Sequence, residues 1–391
     1  MRILFLSGWF PYPPDNGSKI RILNLLRGLS GRHRVSLISF YDSPPGERQM
    51  EALRSLCQDI HGLPSRSFSP CRPRALLGFF SPTPRSLLDT HSPPMAQAIR
   101  EQVRKHNYDL VIASQITTAA YWKAFAPLPA IFEELELGAL ATGAGLRAWS
   151  PRRLRRMLTW LKVRRYVAHL LPHFRACTVV STKEKELLHQ VAPHYRNVAV
   201  IPNGVDLSSY GGIVVERQRK RLIFPGSLTY PANDDAVRFF LKEVFPRILQ
   251  EEPETSLVIT GRFPRQLSPL PPSVHLTGWV EDVRPWIAGS WVTIVPLRQG
   301  GGTRLKVLES LALGTPVVAT SKGAEGIEGE AGRHFLLADD PPSLAAAVLR
   351  LLRDEAFWQS LSEQGRQLVG EKYDWGSVLP RFLDLVEECA R

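Results

Sequence analysis

The chain has 391 residues, 44% hydrophobic and 22% charged, with 49 Lys+Arg against 37 Asp+Glu for a formal charge of +12. This excludes a largely disordered chain, and the length allows about two domains at roughly 100–200 residues each. No apolar run approaches the about 20 residues that span a bilayer, and the scattered Cys57, Cys71, Cys177 and Cys389 form neither a disulfide framework nor a zinc site.

Ile3–Leu6 reads as a first strand rather than a signal peptide, because Ser7, Gly8, Pro11, Pro13 and Pro14 follow at once. A cytoplasmic, soluble protein is therefore expected. No G-x-G-x-x-G follows Leu6, where Ser7-Gly8-Trp9 stands, which argues against an NAD-dependent oxidoreductase. Further strand-like runs are Val35–Phe40, Leu110–Ala113, Ala130–Phe132, Thr178–Ser181 and Val198–Ile201, separated by helix-length amphipathic segments. The series fades over Gly204–Gly212, and Ile213–Arg221 is polar and basic, so the hinge is placed near 205–220. A second series follows: Leu222–Phe224, Leu257–Thr260, Val274–Leu276, Val292–Val295, Pro316–Thr320 and Phe335–Leu337, then helices around 342–370 and 377–389. Alternation of this kind predicts an α/β protein of two doubly wound parallel-sheet domains, with a ligand cleft at the carboxyl ends of the strands.

The most informative stretch is Gln299-Gly-Gly-Gly-Thr-Arg-Leu-Lys-Val-Leu-Glu309, ahead of Gly314 and the strand at Pro316–Thr320. A strand runs into three glycines and then a helix from about Thr303 to Leu313. Glycines admit a ligand close to the backbone, and a helix start presents free N–H groups and the positive end of its dipole. At helical spacing Gly302, Lys306 and Glu309 share one stripe, while Leu305, Leu308 and Ala312 share the buried one. A cation beside the loop and a carboxylate one turn on suit a phosphate followed by a sugar diol. A plain crossover helix with Glu309 in solvent is the other reading.

Leu308-Glu309-Ser-Leu-Ala-Leu-Gly314-Thr-Pro-Val-Val-Ala-Thr320 resembles the donor-site signature of the retaining nucleotide-sugar glycosyltransferases of family 4, which have the GT-B fold. Pro14-Asp-Asn-Gly17-Ser-Lys-Ile-Arg21, Val179–Glu184, Val200–Asp206, Phe224–Leu228, Leu257–Gly261 and Leu276–Val280 match other segments of that family in order, over nearly the whole chain. The resemblance implies two Rossmann-like domains facing across a cleft. Residues 1–205 would bind the acceptor, with a C-terminal helix at about 374–391 packing back on them, and 206–373 would bind the donor. It also implies a donor site drawn from Gly17, Gly226, Ser227, Gly261, Trp279, Val280, Gly301, Gly302, Thr303, Lys306 and Glu309. Glu309 would accept hydrogen bonds from the ribose hydroxyls. Gly301 stands where the family places a first glutamate, and Ser227 and Ala232 stand where it often has an arginine and a lysine for the diphosphate. Lys306 and Arg304 are the substitutes at hand, the catalytic cations in this reading. The family's histidine after the strand at Leu110–Ala113 is absent from Ser114-Gln115-Ile116-Thr117.

The implied reaction moves a sugar from a nucleoside-diphosphate sugar to a saccharide or lipid-linked acceptor, in glycan or polysaccharide biosynthesis. No Asp-x-Asp is present, only the adjacent pairs Asp234-Asp235 and Asp339-Asp340, so no metal or other cofactor is expected. Glu133, Glu134 and Glu136 follow a strand; Glu133 or a neighbour could serve as the acceptor's base or hydrogen-bond partner, unless the three simply sit on a solvated loop. His33 precedes a strand and reads as structural, and the histidines make no spaced ligand set.

From Leu137 to Lys183 the chain has ten Lys or Arg and no Asp or Glu. Within Arg152–Ala168, Leu154, Met157, Leu158, Leu161 and Ala168 form an apolar stripe opposite Arg152, Arg155, Lys162 and Tyr166, and Trp160, Val163 and Val167 form a second patch. Such a helix fits an anionic membrane surface met through Arg152–Arg165 on the inner face, the edge of a groove for an anionic acceptor, or an ordinary domain helix with its apolar stripe in the core and a basic outer face. No nucleic-acid reading module accompanies the charge. Two other functions suit the same architecture: a sugar-nucleotide epimerase or phosphorylase, and a catalytically weak partner protein.

Overall fold

In the computed structural model residues 1–138, 151–263, 270–300 and 304–391 are described, with only the backbone of 151–153. The chain divides into an N-terminal unit, Met1–Pro202 with Leu379–Arg391, and a C-terminal unit, Asn203–Val378. The N-terminal unit contains β1 (Arg2–Ser7), β2 (Arg34–Tyr41), β3 (Asp59–Pro64), β4 (Leu110–Ser114), β5 (Ala130–Glu133), β6 (Ala176–Val179) and β7 (Val198–Val200). They form one parallel sheet in the order β3-β2-β1-β4-β5-β6-β7. Ile3, Leu4, Phe5 and Leu6 are all fully buried, as expected of a central parallel strand covered by helices on both faces.

Helix α1 (Gly17–Ser30) follows β1, its start capped by Asn16, whose side chain accepts the Lys19 N–H. Helix α2 (Pro151–Leu170) precedes β6. Strand β3 has no counterpart in the sequence reading. As an edge strand, Asp-Ile-His-Gly-Leu-Pro, it is only half covered and shows no apolar run.

The C-terminal unit contains β8 (Gln218–Phe224), β9 (Ser256–Thr260), β10 (Val274–Gly278), β11 (Ser290–Val295), β12 (Val317–Ala319) and β13 (Leu336–Leu337), parallel in the order β10-β9-β8-β11-β12-β13. Strand β8 starts at Gln218 rather than Leu222, and ion pairs hold its basic first half: Arg219 to Glu355 at 3.1 Å, Lys220 to Glu254 at 2.7 Å. Helices α3 (Pro231–Phe239) and α4 (Leu305–Ala312) pack on this sheet, Val307, Leu308 and Leu311 entering one core with Phe224, Ile259 and Val292. The expected helix over 342–370 is two, Pro341–Arg353 and Glu355–Lys372. Asp354 separates them by capping the second, its carboxylate accepting the Phe357 N–H. The last helix, α5 (Trp375–Ala390), runs from one unit into the other, and its Cys389 carbonyl accepts the Arg175 guanidinium at 2.8 Å.

Candidate functional site

Four neighbouring strands of the C-terminal sheet lead into glycines in the left-handed region: Gly278 (φ 72) from β10, Gly261 (φ 92) from β9, Gly226 (φ 146) from β8 and Gly300 (φ 103) from β11. Side chains rarely adopt such angles. Space is short as well, since a Cβ on Gly261 would fall 2.7 Å from the Ser227 backbone, and one on Gly226 2.8 Å from the Lys306 Nζ. The result is a row of bare backbone along the carboxyl edge, where parallel sheets take ligands.

Lys306 stands beside this row on the first turn of α4. Its ammonium donates to Asn233 Oδ1 at 3.0 Å and lies 4.1 Å from the centre of the Phe224 ring. Among the described residues no carboxylate lies within ion-pair distance of it. Loss of hydration, and then the Arg304 charge, lower its pKa to about 7. Asn233 is fixed in turn, its side-chain amide donating to the Ser227 carbonyl at 2.8 Å. Helix α4 starts after Arg304, which is buried and whose guanidinium donates to the Gly300 carbonyl at 3.0 Å, bracing the glycine loop.

One turn on, Glu309 is half-buried, and Tyr210 donates its hydroxyl to it at a long 3.5 Å. Desolvation raises the carboxyl pKa to about 7 against the opposing pull of Lys306, Tyr210 and Arg284. Arg284 is held by both oxygens of Asp282 at 2.9 Å, and its guanidinium lies 5.7 Å from the Tyr210 ring centre. Among the described residues the carboxylate thus has one weak hydrogen-bond partner, leaving acceptor capacity for hydroxyl groups. Ser227 binds Thr229 and the Arg262 carbonyl. Trp279 is exposed and Val280 half-buried just beyond β10. Gly301, Gly302 and Thr303 lie outside the described residues.

The N-terminal unit concentrates charge differently. Gly17 is the first residue of α1, and Arg21 one turn later is fully buried. Arg21 Nε donates to Glu133 Oε1 at 2.6 Å and its Nη1 to the Ile201 carbonyl at 2.9 Å, while Ser114 donates to Glu133 Oε2 at 2.7 Å. Glu133 is fully buried with both oxygens engaged, and it ties α1 to the ends of β4 and β5. Glu133 and Glu134 do not sit on a solvated loop.

Glu134 is also buried, and burial beside Glu133 raises its pKa to about 8. Its Oε2 accepts the Gln115 amide at 3.1 Å, and that amide lies 3.2 Å from Ser18 Oγ on α1. Gln115 (φ 69) and Glu134 (φ 57) are the non-glycine residues with positive φ among the described residues, strain on the order of 1–3 kcal/mol each.

The aspartate pairs have other partners: Asp234 binds Arg238 and Asp235 binds Arg298, while Asp339 accepts from Ser321 and Asp340 caps the helix Pro341–Arg353. Tyr210, Asn233 and Arg284 escaped the sequence reading. Tyr210 lies in the segment that fades into a linker, and no spacing links any of the three to Lys306. Arg21 was read only as part of a glycine-loop match.

Residues 15–209 match Glycosyltransferase Family 4, and residues 219–354 match Glycosyl transferases group 1. The MMP alpha-(1->4)-mannosyltransferase of Mycolicibacterium hassiacum is 27% identical over 258 residues, 63% of this chain and 61% of that one. The curated relatives are matched over 42% to 61% of their own length. Sucrose-phosphate synthase from Thermosynechococcus elongatus superposes with a TM-score of 0.69 at 16% identity, over 99% of each chain. Anabaena HepE, solved in complex with UDP and glucose, gives 0.67 at 14%, over 99% of this chain and 100% of that one. At such identities the likeness is one of fold, a GT-B architecture of two Rossmann-like parallel-sheet domains. No described helix is long and apolar enough to cross a membrane.

Proposed function

The chain belongs to the family 4 glycosyltransferases, glycosyl transferases group 1, and from that membership we propose that it moves a sugar from a nucleoside-diphosphate sugar to a saccharide or lipid-linked acceptor. In this reading the anomeric configuration is retained and no metal takes part. The observation that carries it is the Lys306–Glu309 pair beside the row of glycines. A diphosphate leaving group must have its developing charge stabilised, which a half-buried, partly desolvated lysine near Arg304 and a helix start is suited to do. Glu309, with a single long hydrogen bond among the described residues, suits a ribose diol. Anabaena HepE, of the same fold, was solved with UDP and glucose, which supports a nucleotide-sugar donor.

On the acceptor side the strained pair Gln115–Glu134 replaces Glu133 in the proposal. Glu134, which burial pushes up to about 8, keeps its own proton at neutral pH and serves as a hydrogen-bond partner that positions the acceptor hydroxyl, whose proton leaves with the departing diphosphate. An anionic membrane surface met through Arg152–Arg165 belongs to the same reading, since it would bring a lipid-linked acceptor within reach.

The test is turnover of nucleotide sugars in EDTA, with the anomeric proton of the product followed by NMR. Retained configuration without metal is expected. An inverted product, or activity that appears only with a divalent cation, overturns this mechanism. Glu134→Gln, which keeps the hydrogen bond but cannot titrate, should flatten the alkaline limb of the acceptor KM; an unchanged profile removes Glu134 from the acceptor site.

A further inference from the structure

Helix α2 has two apolar faces, and the core takes one of them. Val163, Val167 and Leu170 are buried against the N-terminal sheet with Trp160 and Tyr166. Leu154, Met157, Leu158 and Leu161, at helical spacing, point outward and are 41–55% exposed. This reverses the ordinary-helix expectation: the stripe of Leu154, Met157, Leu158 and Leu161 is outside, and the second patch of Val163 and Val167 is in the core.

A second exposed element adjoins this stripe. The short helix Pro73–Leu77 ends at Gly78, and the turn after it presents Leu76, Leu77, Phe79 and Phe80, with Phe80 93% and Leu77 67% exposed. Lys162 of α2 joins the two, donating to the Gly78 carbonyl at 2.5 Å and the Phe79 carbonyl at 3.2 Å. Arg85 braces the turn from behind, its guanidinium 3.7 Å from the Phe79 ring centre and its Nε on the Ala75 carbonyl.

The charge around these groups has one sign. No Asp or Glu occurs between Asp59 and Asp89 or between Glu136 and Glu184, so both segments that meet at Lys162 are free of acid. Arg155, Arg156, Arg164 and Arg165 are exposed along α2. Monomeric soluble proteins rarely present several large apolar side chains together, and a basic rim around them matches an anionic leaflet.

We infer that the turn Leu76–Phe80 and the outer stripe of α2 form one docking surface for a bilayer with anionic headgroups, Phe79, Phe80 and Leu77 entering the acyl boundary while the arginines meet the phosphates. The inference rests on the membrane-surface reading of Arg152–Arg165 and adds the inserting element. It is independent of the sugar chemistry.

The experiment is flotation of the full chain with vesicles of phosphatidylcholine, with and without phosphatidylglycerol. The parent should float with the anionic vesicles and lose them at high salt. Phe79→Ser with Phe80→Ser should weaken binding about tenfold or more, and Arg155→Gln with Arg156→Gln roughly as much. Should the double serine variant melt below the parent, Phe80→Ser alone carries the test, because that ring supports no core. Parent-like flotation of the serine variants overturns the inserting turn while the basic-helix reading stands. A parent that floats with neither vesicle overturns both and leaves the patch to a protein partner.

Discussion

Both units gather a cation and carboxylates at the carboxyl end of a parallel sheet, yet the two clusters are in opposite states. Arg21 and Glu133 are fully buried and joined at 2.6 Å, with a serine hydroxyl and a backbone carbonyl completing the set. Lys306 and Glu309 are half-buried, and their hydrogen bonds run to a neutral amide at 3.0 Å and a phenol at 3.5 Å. Charges satisfied by one another hold elements in place and have little left for a ligand. Charges that are desolvated but not satisfied have shifted pKa values and can gain by binding. The same residue types therefore do structural work in one unit and are available for chemistry in the other.

Substitutions should separate the two clusters sharply. Arg21→Ala leaves Glu133 buried without its cation and should cost about 3–5 kcal/mol of stability, read by denaturant unfolding; a parent-like midpoint would break the comparison. Lys306→Ala should reduce turnover about 10²–10³-fold with the melting temperature nearly unchanged, since a poorly solvated cation contributes little to folding. Parallel losses of activity and stability would make Lys306 structural as well. Glu309→Ala should weaken nucleotide binding by about 1–3 kcal/mol in calorimetry, and unchanged affinity would remove its ribose role.

The smallest effect is in pH. Lys306, lowered to about 7, loses its charge as pH rises above that value, so nucleoside diphosphate affinity should fall from pH 7 towards 9. A bound diphosphate favours the charged lysine and raises its pKa, so binding in that range takes up protons. Below pH 7 Glu309 gains a proton, so it loses its charge and one of its two oxygens becomes a donor, a poorer match for two hydroxyls, which places the affinity maximum near neutrality. Titrations in two buffers of different ionisation enthalpy measure the uptake. Binding that is independent of pH and buffer would mean that neither group meets the ligand.

The sequence carried the parallel architecture because a central strand such as Ile3–Leu6 is an unbroken apolar run buried on both faces, and Val292–Val295 is interrupted only by the buried Thr293. It also carried the Lys306–Glu309 stripe, since three residues apart on a helix means one face. It did not carry β3, which is half-exposed at the sheet edge, or the basic start of β8, whose exposed side chains are ion-paired and leave no apolar run to read. Nor did it carry the partner of Glu133, because a carboxylate after a strand looks the same in sequence whether it faces solvent or an arginine 112 residues away. Asn233, on the helix after β8, meets Lys306, on the helix after β11, because those two strands are neighbours, and that pairing has no signature in local spacing.

The most direct test of the central claim, that Lys306 and Glu309 form the donor site, is thermal stabilisation of the parent and of Lys306→Ala by a panel of nucleoside diphosphates and nucleotide sugars in EDTA. A ligand that binds the folded state raises the melting temperature in proportion to its occupancy. The account predicts a selective rise with one nucleotide in the parent, largely lost in the variant. No rise with any nucleotide, or an equal rise in both proteins, would contradict it.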